Sequence, residues 1–150
     1  MHATYLKARS RGFTLIELLV VIAIIGILSA VVLASLNSAR DKGGDAAIQS
    51  DLGAIRTQAE IYRDGPGLQT YGADASDCVT GMFVDDTTIA NAILAANTSN
   101  GAGTVTCNSD GESYAVSAQL VADPAKSWCI DSTGVATSTL TVLGADVACL

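Results

Sequence analysis

The chain has 150 residues, 15 Asp plus Glu against 8 Lys plus Arg for a formal net charge of -7, and 49% hydrophobic positions. That length suits one domain and excludes a large multidomain enzyme. The acidic balance lacks the footprint of a nucleic-acid binder, which needs clustered Lys and Arg to displace counterions, so no direct nucleic-acid binding is expected.

With 5% aromatic residues beside a mean hydropathy of +0.39, the apolar content is aliphatic, and it is concentrated near the amino terminus. Residues 18–36 form an apolar run interrupted by Gly26, Ser29 and Ser35. As a helix this run is about 28 Å long, enough to cross the hydrocarbon core of a bilayer. It is apolar on every face, and a chain of this size supplies too little protein to surround it. The fitting solvents are therefore lipid or the interior of a helical assembly.

Residues 1–12 carry Lys7, Arg9 and Arg11 and no acid, the pattern of a segment that stays in the cytoplasm during insertion. Arg40 and Lys42 follow the run, but Asp41 and Asp45 dilute them. Glu17 stands at the mouth of the run, four positions after Phe13. A carboxylate facing lipid costs on the order of 2 to 3 kcal/mol, so it needs the headgroup zone, a partner or a proton.

Arg9-Ser10-Arg11-Gly12-Phe13-Thr14-Leu15-Ile16-Glu17-Leu18, with the aliphatic run to Leu36, resembles the class III leader and amino-terminal helix of type IV pilins and type II secretion pseudopilins. The resemblance covers residues 7–36, about a fifth of the chain. It implies that a prepilin peptidase cuts between Gly12 and Phe13, removes residues 1–12 and methylates the Phe13 amine. Residues 13–37 are then a membrane-spanning helix that becomes the core of a filament. The implied partners are further copies of the chain, the peptidase, the membrane before assembly and an assembly platform in the cytoplasmic membrane.

Cleavage creates a cationic amine on Phe13, and a buried cation and carboxylate are tolerable chiefly as a pair. Glu17 of one subunit is therefore expected to neutralise the Phe13 amine of its neighbour. The competing reading is an ordinary secretory signal peptide, cut at Val32-Leu33-Ala34 or Asn37-Ser38-Ala39. Against it stand a run longer than the usual apolar region of about 7 to 15 residues and the charge of Glu17.

Over residues 38–64 the apolar positions Ile48, Leu52, Ile55, Ala59 and Tyr62 recur in steps of four and three, which predicts an amphipathic helix continuing the anchor. Gly43-Gly44 predicts a bend, local melting or a loop within it, at about 1 kcal/mol per Gly relative to Ala. Gly65-Pro66-Gly67 is its stop signal.

Residues 65–150 read as a small globular head. Residues 87–97 suit a short helix with Ile89 and Ile93 inward and Leu94 a further candidate, followed by a flexible loop at 99–103. Residues 112–121 alternate through Tyr114, Val116, Ala118 and Leu120, a strand pattern; residues 127–131 offer a second strand and 135–142 a third, with a turn at Ser132-Thr133-Gly134. The predicted fold class is α+β: a long amino-terminal helix, half membrane-spanning and half amphipathic, packed against a small antiparallel sheet. Trp128 is expected as a core anchor. The Asn97-Thr98-Ser99 sequon and the Ser and Thr of 137–141 are expected to stay unmodified.

Cys78, Cys107, Cys129 and Cys149 all fall in the head without CxxC spacing, which excludes the usual zinc pattern and reads as two disulfides. Three connectivities are possible, and loop compactness favours Cys78 with Cys107 and Cys129 with Cys149. His2, the single histidine, lies in the leader, so residues 13–150 have no imidazole for a catalytic triad or a histidine metal site. No enzyme activity, cofactor or metal is expected. Calcium at Asp85-Asp86, or at Asp131 beside Ser132, is weighed against solvated turn acids, and the latter is favoured because no dense oxygen-ligand loop is present.

The function expected is that of a structural subunit of an extracellular type IV pilus, passing from a single-pass precursor in the cytoplasmic membrane to the cell surface. A pseudopilin of a type II secretion system is the alternative. A monomeric secreted or anchored binding module stands behind both.

Overall fold

A computed structural model describes residues 12–101, 103–140 and 143–149, and the leader charges Lys7, Arg9 and Arg11 lie outside the described residues. The chain divides after Asn37 into two compact units. Helix α1 runs Leu15–Asp64. Within residues 13–36 sixteen large apolar side chains are 47–82% exposed. Full burial of such a side chain is worth about 1.5 to 3 kcal/mol, so this segment carries tens of kcal/mol of unrealised apolar stabilisation. It meets the length and composition of a membrane-crossing helix.

The second unit begins at Ser38. Here α1 buries Ile48, Leu52, Ile55, Ala59 and Tyr62, the face predicted from their spacing. They share one core with Met82, Phe83, Ile89, Tyr114, Val116 and Ile130.

The local melting or loop expected at Gly43-Gly44 is absent, and α1 is helical through both. A β-carbon on Gly44 would lie 3.1 Å from Val121 Cγ2 and 3.4 Å from the Ser99 carbonyl oxygen, so this glycine serves close packing rather than flexibility. The neighbouring Asp45 carboxylate accepts hydrogen bonds from the backbone N–H of Val121 at 2.6 Å and of Ala122 at 3.2 Å, tying α1 to that loop. Gly44→Leu is expected to lower head stability by about 1 to 3 kcal/mol through overpacking, read as a lower melting temperature, whereas Gly43→Ala, in open space, should raise it slightly.

The Gly65-Pro66-Gly67 signal acts where expected: α1 ends at Asp64, and the Gly67 N–H returns to the Tyr62 carbonyl at 2.7 Å. Gly67 packs so tightly on the Tyr62 ring and the Thr70 carbonyl that no side chain fits there. A short helix unforeseen in the sequence, α2 (Met82–Asp85), buries Met82 and Phe83. Helix α3 (Thr87–Ser99) starts at Asp86, whose carboxylate accepts from the N–H groups of Thr88 and Ile89 at 2.8 and 3.0 Å. Its buried face is Ile89, Ile93 and Ala96, whereas Leu94 is 62% exposed. Leu94 sits one residue, about 100°, around the helix from Ile93 and so leaves that face.

Four strands form an antiparallel meander in the order β1 (Val105–Ser109), β2 (Tyr114–Gln119), β3 (Ser127–Asp131) and β4 (Ala136–Thr139). The sequence reading missed β1, because Val-Thr-Cys-Asn-Ser lacks the apolar alternation by which a strand is recognised. β4 is shorter than the 135–142 expected, and residues 141 and 142 lie outside the described residues.

Residues 114–118 of β2 are buried on both faces, not one. Val116 aligns with Cys107 and Ile130 toward the core shared with α1. On the opposite face Asn108, Ala115 and Asp131 form a cross-strand row, buried to 2%, 0% and 1% exposure. The carboxy-terminal segment 143–149 holds onto that row. Asn108 Nδ2 donates to the carbonyls of Gly144 and Asp146 at 2.7 and 2.8 Å, and the Cys149 N–H donates to Asp131 Oδ2 at 2.9 Å. Trp128 is only partly buried at the rim of the core, and the large fully buried aromatics are Tyr114 and Phe83. Its partner positions across the sheet, Ala118 and Ser138, are too small to enclose an indole.

Candidate assembly segment and the head that follows it

Thr14 and Glu17 close a reciprocal cap at the start of α1. The Thr14 backbone N–H and hydroxyl donate to Glu17 Oε2 at 2.9 and 2.8 Å, and the Glu17 N–H donates to Thr14 Oγ1 at 3.2 Å. This is the Thr-x-x-Glu capping box, in which side chains satisfy N–H groups that the first helical turn leaves without partners. Sequence reasoning treated Glu17 as an anion in search of a partner and missed this one, although Thr three residues before Glu is its signature. The box uses Oε2 alone. Oε1 remains available to a second donor, on a carboxylate whose orientation Thr14 has already fixed. Gly12 and Phe13 precede the helix without regular structure, and Phe13 is 82% exposed.

In the head, disulfides join Cys78 to Cys107 and Cys129 to Cys149, across 29 and 20 residues of sequence. The first ties the loop before α2 to β1, a loop already bridged there by Ala75 and Ser109. The second ties the carboxy-terminal segment to β3. Each closes a loop whose restriction in the unfolded chain is worth about 2 to 4 kcal/mol.

The acids weighed for calcium are taken by protein donors instead. Asp86 caps α3 and accepts from Gln58 Nε2 at 2.8 Å. Burial pushes its carboxyl up, but the bonds from Gln58, Ile89 and Thr88 outweigh burial and hold its pKa below the ordinary value. Asp85 receives the Tyr62 hydroxyl at 3.4 Å.

Asp131 is no solvated turn acid, being 1% exposed. Its Oδ1 accepts from the Thr133 N–H at 2.9 Å, the Thr133 hydroxyl at 2.6 Å and the Val135 N–H at 3.2 Å, and its Oδ2 accepts from Cys149. Here too burial raises the pKa, and the donors, led by the Thr133 hydroxyl, bring it below the usual carboxylate value. No group of three or more metal-ligating side chains occurs among the described residues.

Burial raises all three tyrosines of residues 13–150. Tyr71 is pushed up to about 12 by desolvation first and then by its 2.9 Å bond to Glu60. Tyr62 is raised by burial and Asp85, and Tyr114 by burial and the Glu60 charge. A phenol whose folded pKa exceeds the unfolded value of about 10 contributes stability below pH 10 that is lost as pH rises through the folded pKa. Alkaline titration followed by phenolate absorbance is therefore expected to show little ionisation at pH 10. The head should lose stability between about pH 10 and 12, and the absorbance midpoint should return to about 10 in urea.

The Prokaryotic N-terminal methylation motif matches residues 7–33. The type II secretion system core protein G of Dickeya chrysanthemi is 36% identical over 58 residues, 39% of this chain and 38% of that protein. The protein of the same description from Klebsiella michiganensis is 40% identical over 57 residues, 38% of this chain and 40% of its own length. The type IV wide pilus major component PilA4 of Thermus thermophilus is 44% identical over 54 residues, 36% of this chain and 41% of that protein. The match thus spans about two-fifths of these curated relatives. No solved structure matches. The chain carries the N-terminal methylation motif and, over about two-fifths of its length, is similar to type II secretion system core protein G and to a type IV pilus major component.

Proposed function

We propose that the chain is the structural subunit of an extracellular type IV pilus, cut between Gly12 and Phe13 and assembled through its amino-terminal helix. The observation that carries this reading is the helix itself. It combines a methylation motif over residues 7–33 with sixteen large apolar side chains between Phe13 and Leu36 that are exposed among the described residues. Lipid covers them before assembly, and helices of neighbouring copies cover them in the filament. The capped Glu17, with Oε1 free, is the acceptor for the methylated Phe13 amine of the next subunit. No catalytic role belongs to this reading: the buried carboxylates Asp86 and Asp131 are engaged in a helix cap, a turn and the carboxy-terminal anchorage.

A pseudopilus subunit of a type II secretion machine is the second reading, favoured by the relatives described as core protein G. Deleting the gene separates the two. The pilus reading predicts that sheared surface fibres disappear while protein secretion continues. Lost secretion with intact surface fibres would assign the chain to the pseudopilus.

A further inference from the structure

Arg56 and Arg63 stand two turns apart on α1 and open, with Glu60, Tyr71, Thr133 and Gly134, onto a cleft of about 440 Å³. The head orients both guanidinium groups without a direct ion pair to either, although the Glu60 and Asp131 carboxylates also line the cleft. Arg56 Nη1 donates to the Gly134 carbonyl at 3.2 Å, and the Arg63 guanidinium lies 5.5 Å from the centroid of the Tyr71 ring. The single ion pair among the described residues is Lys126 with Asp123. Glu60 Oε1 is instead occupied by the Tyr71 hydroxyl at 2.9 Å. Against the Tyr71 ring, in edge contact at 4.8 Å, lies Tyr114, fully buried and with its hydroxyl unpartnered.

Two half-buried forks with unused N–H donors are suited to a carboxylate, which a guanidinium binds through paired, charge-assisted bonds. The chain itself argues for the source of that carboxylate. Residues 13–150 hold fifteen acids and five bases, Arg40, Lys42, Arg56, Arg63 and Lys126. Identical copies therefore repel as they approach, and close packing requires acids of one copy to meet bases of another. Lys126 is already paired within its own head, whereas Arg56 and Arg63 open onto one cleft. Resting on the reading of a self-assembling subunit, we propose that the Arg56–Arg63 cleft is an interface between copies of this chain and receives an acidic side chain from the neighbouring head.

The test is made on the full chain in cells that assemble it. Arg56→Gln with Arg63→Gln is expected to cut sheared-filament yield at least about tenfold, while the mature terminus and the head's melting temperature stay near those of the unsubstituted chain. A photo-crosslinking residue in place of Thr57, exposed at the cleft's edge, should join two copies through a peptide that contains Asp or Glu. Filaments at undiminished yield from the double variant would overturn the proposal, as would a crosslink to a peptide without an acid. Both results leave the filament reading standing. If the unsubstituted chain forms no filaments, that reading fails first and the interface with it.

Discussion

Glu17→Ala should leave the precursor made, inserted and cut, yet reduce filament yield by at least about two orders of magnitude. On the proposed pairing, the Phe13 amine of the neighbouring subunit would then enter an apolar core unpaired, a loss of about 3 to 5 kcal/mol at each contact. A further loss of about 1 kcal/mol comes from the cap, because the Thr14 N–H loses the Glu17 acceptor. The two contributions separate in Glu17→Gln, which keeps an acceptor for Thr14 and removes the charge. If neutralisation of the amine governs assembly, Gln behaves almost as Ala does. If the cap governs it, Gln restores the filaments. Electron microscopy and quantification of sheared material, normalised to processed subunit, read both variants, and an undiminished Ala variant would remove Glu17 from assembly altogether.

Asp131→Ala should cost the head about 3 kcal/mol, lowering its melting temperature by about 10 °C or more in detergent-solubilised protein. One buried carboxylate serves four donors: the Thr133 N–H and hydroxyl, the Val135 N–H and the Cys149 N–H. Truncation leaves the β3–β4 turn without its organiser and frees the carboxy-terminal segment from one of its three attachments, the others being Asn108 and the Cys129–Cys149 disulfide. The pH dependence follows from the lowered pKa. A carboxylate whose folded pKa lies below its unfolded value of about 3.9 contributes stability above that value and loses it as pH falls through the folded pKa. The unsubstituted head should therefore lose part of its stability below about pH 4, and Asp131→Asn should lose less over the same interval. A melting temperature unchanged by Asp131→Ala would mean that the disulfide and Asn108 hold the segment without it.

The parts legible in sequence were those with a periodic signal. Ile48 to Tyr62 repeat in steps of four and three, and the buried face of α1 is that set. Gly65-Pro66-Gly67 ends the helix because no other residue fits against Tyr62 at Gly67. The failures share a cause in tertiary contacts that composition does not encode. Gly44 looks like a helix defect until Val121 and the Ser99 carbonyl are found beside it. β1 is too polar to read as a strand, because its Asn108 is buried under the carboxy-terminal segment and bonded to it. Asp131 looks like a turn acid because its most distant donor, Cys149, lies 18 residues away. At the amino terminus the charge of Glu17 was visible and its geometry was not, since an unpaired acid and a capped one look alike until Thr14 is considered.

Mass spectrometry of the amino-terminal peptide from sheared extracellular filaments tests the central claim most directly, because one peptide reports cleavage, methylation and export together. The expected peptide begins with N-methylated Phe13, from a chain lacking residues 1–12 and carrying five bases against fifteen acids. A soluble protein beginning near Ser35 or Arg40 would contradict it, making the apolar run a discarded signal peptide and leaving Glu17 no part in a filament.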